Sequence, residues 1–62
     1  MGKVENMIAW SEYFKSYIKA IDLKSDTDWT FVICNKKGRT YFWNRKPLRA
    51  RSRFSDFKWM KI

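Results

Sequence analysis

The sequence predicts an α+β domain: one N-terminal amphipathic helix over about residues 4–22, then a three-stranded antiparallel β-meander over about residues 29–54. Three observations predict it. Apolar residues between Val4 and Ile21 recur at helical spacing. Two dense runs of β-branched and aromatic residues, Trp29 to Cys34 and Arg39 to Trp43, flank a polar tetrapeptide ending in glycine. From Leu48 to Phe54, small or apolar residues alternate with arginines. At 62 residues the chain is expected to form a single small domain, which leaves so much surface wet that folding is only marginally favoured.

In the helical segment Met7, Trp10, Phe14, Tyr17, Ile18 and Ile21 form one stripe, and Glu5, Glu12, Lys15, Ser16 and Lys19 fall opposite. No glycine or proline interrupts it, and Glu5 near its start suits the helix dipole. The stripe is expected to cover a sheet, with a partner as the alternative. Residues 23–28 then read as a polar linker. Asp22, Asp26 and Asp28 invite a calcium reading, but the glycine turn and bidentate glutamate of a calcium-binding loop are missing, so a solvated connection is preferred.

The hairpin is the strongest local expectation. Asn35 and Gly38 stand first and fourth in the turn Asn35, Lys36, Lys37, Gly38, which suits a type I turn with the glycine at positive φ. Period-two geometry puts Trp29, Phe31 and Ile33 on one face of the first strand. In the second, Tyr41 and Trp43 lie opposite Thr40 and Phe42. Pro47 marks another turn because its ring cannot donate to a ladder. Leu48, Ala50, Ser52 and Phe54 then form the small or apolar face of a third strand, and Arg49, Arg51 and Arg53 its basic face. The tail over residues 55–62, with Phe57, Trp59, Met60 and Ile62, is too apolar to hang in water and is expected to return to the core or meet a partner.

Composition bounds the chemistry. There is no histidine to serve as a base near neutral pH, no nucleophile elbow and no glycine-rich phosphate loop. Cys34 is the one cysteine, which excludes an intramolecular disulfide and, with no histidine, a Cys/His zinc site. The expected function is therefore not enzymatic, with no cofactor and no metal. The N-terminal apolar residues are broken by Glu5, Glu12, Lys15 and Lys19, so neither a signal peptide nor a transmembrane segment is expected. The expected address is intracellular and non-secreted, in cytoplasm or an organelle such as the mitochondrion.

The net charge of +8 is unevenly placed. Residues 1–28 carry four lysines against five acidic residues, a net −1, and residues 29–62 carry ten Lys or Arg against Asp56 alone, a net +9. One half thus faces something acidic: a protein, nucleic acid or an anionic membrane surface.

Trp29, a short strand, a polar turn and then Gly38, Arg39, Thr40, Tyr41, Phe42, Trp43, Asn44 resemble the first two strands of a WW domain. The resemblance covers about sixteen residues. It implies a structural buckle of Trp29, Phe42 and Asn44, and a ligand-facing role for Tyr41, with Trp43 on the same face. It is incomplete: Ser52 stands where the second tryptophan would fall, and the closing proline is missing. It therefore implies a three-stranded sheet more than a proline-peptide groove.

The sequence-level conclusion is a protein-binding or structural subunit of a larger complex. It would dock through Tyr41, Trp43, Arg45, Arg49, Arg51 and Arg53 onto an acidic, extended or proline-rich protein. The alternative is a small basic nucleic-acid-binding protein, since arginines on alternate strand residues would stand about 7 Å apart, near the spacing of successive phosphates.

Overall fold

The structure is a computed structural model that describes residues 4, 6–40 and 46–62. Five strands follow one another: β1 (Met7–Ser11), β2 (Ser16–Ser25), β3 (Asp28–Cys34), β4 (Leu48–Arg49) and β5 (Met60–Lys61), with a 3₁₀ turn at Phe54–Asp56 before the last. They form one antiparallel sheet in the order β4-β3-β2-β1-β5, so the chain meanders through four strands and the fifth returns to the outer edge of the first.

The expected N-terminal helix is not there. The described residues contain no α-helix, and the segment that was to form it is the β1–β2 hairpin, with Ala9 opposite Ile18 and Trp10 opposite Tyr17. The fold is therefore a five-stranded, mostly β domain rather than an α+β one. The correction has a physical reason. On β1, Ala9 and Ser11 share one face while Ile8 and Trp10 share the other, which is strand periodicity. Residues 12–15 then reverse the chain, with Lys15 in the left-handed region at φ 53°. On β2 two bulges, at Ile21 and Lys24, insert extra residues opposite β3. Ala20 pairs with Phe31 and Leu23 with Trp29, so a bulge turns a two-residue step into a three-residue one. A reversed hairpin plus a bulged strand thus reproduces the three-and-four spacing of a helix. The presumed stripe is split: Trp10 and Tyr17 meet edge to face at 5.2 Å, on the opposite face from Ile18.

Residues 23–28 are the end of β2, a two-residue turn at Asp26 and Thr27, and the first residue of β3. At the far end of β3, the Asn35 to Gly38 turn closes with the Gly38 N–H donating to the Asn35 carbonyl at 2.9 Å. The Asn35 side-chain oxygen also accepts from the Lys37 and Arg39 N–H groups. Gly38 sits at φ 82°, where a β-carbon is strained. Thr40 then bridges to Cys34. Residues 41–45, including the remainder of the expected second strand, lie outside the described residues.

The expected third strand over residues 48–54 is much shorter. Pairing with β3 covers Leu48 and Arg49, and the Ala50 N–H extends it by donating to the Trp29 carbonyl at 2.9 Å. Beyond that the chain leaves the sheet, because the Trp29 indole N–H takes the Ser52 carbonyl at 2.8 Å and the Phe54 N–H takes the Asp26 carbonyl at 2.8 Å.

The core gathers on one face around Trp29, 1% exposed. Its ring lies 5.3–5.6 Å from those of Phe31, Phe54, Phe57 and Trp59. Phe54 and Trp59 stack at 4.5 Å, and the Trp59 N–H donates to the Phe54 carbonyl. Edge-to-face and stacked pairs stabilise such a cluster beyond its area. Ile8, Val32 and Cys34 are buried on the other face.

Candidate binding cleft

On the Trp29 face, the sheet leaves a cleft of about 760 Å³ between the β1–β2 turn and the segment that follows β4. Its floor is apolar, built from Ile18, Trp29, Phe31 and Ala50. Tyr13 and Phe14 form one wall, Arg49, Arg51 and Ser52 the other, and Phe57 lies at its end.

The turn wall follows from its sequence. Glu12 accepts from the Trp10 indole N–H at 2.9 Å and from the Lys15 ammonium at 2.8 Å. The Lys15 bond, then the Trp10 bond, hold the Glu12 carboxyl below the usual carboxylate range. Ser11 is buried, and its hydroxyl oxygen accepts from the Phe14 N–H at 3.3 Å, which turns Phe14 inward. Phe14 meets Phe31 at 5.7 Å, while Tyr13 leans edge-on against Phe14 at 4.9 Å and remains 88% exposed. The Tyr13 ring thus adds exposed aromatic surface at the lip of the cleft.

The arginines do not form the continuous face that alternation implied. Arg49 is on β4 and pairs with Asp28 at 3.4 Å. Arg53 precedes the 3₁₀ turn, off the cleft, and pairs with Asp26 at 3.5 Å. Arg51 lies between them at the cleft wall, exposed and with no acidic partner among the described residues. Both ion pairs are solvent-exposed and of small energetic weight, yet each places a negative charge where a phosphate would have to sit.

Of the other residues singled out in the sequence, Trp29 is the buried hub of the core. Tyr41, Phe42, Trp43, Asn44 and Arg45 lie outside the described residues, and so does the expected Trp29, Phe42, Asn44 buckle. The cleft brings together Arg49 and Arg51, and it adds Tyr13, Phe14 and Phe57, which sequence reasoning assigned to a helix or to the tail. The signal was the pair Tyr13, Phe14 between Glu12 and Lys15, two rings held in a polar reversal.

Cys34 is fully buried, and that burial raises its thiol pKa, with nearby Lys19 opposing. Such a thiol is a poor nucleophile. Among the described residues no group of three or more His, Cys, Asp or Glu is placed to hold a metal, and no helix is long and apolar enough to cross a membrane. No family model matches the chain, and neither a curated protein nor a solved structure matches it.

Proposed function

We propose that this chain is a non-enzymatic binding or assembly module, and that its cleft receives an acidic segment of a protein partner. The observation that carries this reading is the pairing of an apolar, aromatic-walled cleft with Arg51 at its wall. An apolar recess with a few polar groups is the usual form of a ligand site. A guanidinium beside exposed aromatic surface is a common anchor of protein interfaces. The net charge of +8 draws acidic partners by steering.

Nucleic acid is the less favoured partner. One part of its case, three arginines at phosphate spacing along one strand, loses support, because β4 has two residues and Arg49 and Arg53 each face an aspartate. The basic and aromatic set around Tyr41, Phe42 and Trp43 lies outside the described residues. The two readings separate in one titration. Tyrosine and tryptophan fluorescence is followed as an extended Glu/Leu peptide, or an oligouridine of equal length, is added at low and at physiological salt. The protein-binding reading predicts tighter binding of the peptide, persisting at physiological salt. Tighter binding of oligouridine, with a steep salt slope, contradicts it.

A further inference from the structure

The two walls of the cleft differ in what they can recognise, and that difference names the ligand more narrowly. The floor has apolar character throughout. Its nearest polar groups are partly engaged: the Ser11 hydroxyl oxygen accepts from Phe14, and the Ser52 carbonyl accepts from Trp29. A polar side chain entering the floor would lose water and find few partners, at a net cost. An apolar one would gain contact with Phe14, Phe31 and Phe57. At the wall the selection is reversed. Arg49 already faces Asp28, whereas Arg51 has no carboxylate among the described residues. One free guanidinium fork beside an apolar recess fits one carboxylate beside one apolar side chain.

We propose, resting on the cleft reading above, that the occupant is an extended peptide segment in which a single Asp or Glu lies two residues from a bulky aliphatic or aromatic side chain. Arg51 takes the carboxylate and the floor takes the apolar group. Residues two apart in an extended chain project to the same side, about 7 Å apart, so one strand-like segment can reach both. Tyr13, at the opposite lip, covers the inserted side chain. Charge alone does not suffice, and neither does an uncharged apolar group.

The test is selection from a randomised eight-residue peptide library on the full chain, on Arg51→Gln, and on Lys61→Gln, which removes the same charge from β5 outside the cleft. Selected peptides are then measured by fluorescence anisotropy, and their contacts mapped by amide chemical shifts. The expected result is enrichment of Asp or Glu two residues from Leu, Ile, Phe or Trp, about tenfold weaker binding to Arg51→Gln, and little change with Lys61→Gln. Replacing the peptide carboxylate by its amide should cost as much as Arg51→Gln, and nothing further in that variant. Equal losses in the two protein variants, or acidic peptides selected with no apolar neighbour, overturn the inference. So do peptides that shift Tyr13, Phe14 and Phe57 yet ignore Arg51, a result that keeps the cleft as a contact surface but not its preference for an acidic segment. If no selected peptide shifts the cleft residues, both fail together.

Discussion

At the scale of single residues, Trp29 carries the fold. Four rings surround it and its indole N–H holds the Ser52 carbonyl. Truncating a buried tryptophan to alanine costs about 3–5 kcal/mol. A domain of this length has a total stability of roughly 3–9 kcal/mol. Trp29→Ala should therefore lower the thermal midpoint seen by circular dichroism by well over about 10 °C or remove the cooperative transition, and a retained transition near the wild-type midpoint would show that the core lies elsewhere.

Gly38 is the second decisive residue. A β-carbon there would collide with the Ile62 side chain, but the contact is with the tip of a half-exposed chain that can rotate away. The φ of 82° cannot be relieved so simply. Gly38→Ala should destabilise by about 1–2 kcal/mol in urea. Adding Ile62→Ala should recover little of that loss, and full recovery would assign the cost to the collision instead. Cys34 should resist alkylation by iodoacetamide in the native protein and react readily in urea, because burial keeps its thiol protonated.

At the scale of elements, the joint between the β2–β3 turn and the 3₁₀ turn orders the second wall of the cleft. Asp26 provides it. Its carboxylate accepts from the Ser55 N–H at 2.8 Å and the Ser55 hydroxyl at 3.1 Å, and its carbonyl accepts from the Phe54 N–H. Asp26→Ala should cost about 1 kcal/mol, since the side-chain bonds are exposed and the carbonyl bond survives. Hydrogen exchange at Ser55 should quicken while β3 amides stay protected. Uniform loss of protection would mean that this joint is inseparable from the core.

The same scale shows which parts of the fold were legible in the sequence. The Asn35 to Gly38 turn was, because its chemistry is local: an asparagine side chain that accepts two N–H groups and a glycine that tolerates positive φ. The β1–β2 hairpin was not. Its turn holds no glycine or proline, Lys15 takes the positive φ, and the bulges at Ile21 and Lys24 convert period two into spacings of three. The third strand was too long because alternation was legible, but the pull of Trp29 on Ser52 and of Asp26 on Phe54 was not. Both are contacts between residues far apart in sequence. The candidate site divides the same way. Its arginines were visible as a pattern, whereas Tyr13, Phe14 and Phe57 become neighbours of Arg51 only once the sheet is formed.

At the scale of the whole molecule, the β5 pairing on β1 brings the C-terminal aromatics back over the core and helps a chain this short bury enough apolar surface to fold. It also leaves the charge asymmetry of the sequence intact on a chain that carries an aromatic-walled recess. Binding should thus be steered by charge and retained by apolar contact. Raising salt from 50 to 500 mM should slow association with an acidic peptide far more than it speeds dissociation, as stopped-flow fluorescence would record.

The claim that this cleft is the contact surface is tested most directly by amide chemical-shift mapping of the labelled full chain with an extended Glu/Leu peptide. Saturable shifts concentrated at Tyr13, Phe14, Arg51 and Phe57 are expected, with about tenfold more peptide needed to reach half-saturation in Arg51→Gln. Shifts confined to the opposite face, around Lys19 and Val32, or spread evenly over the lysines, would contradict it.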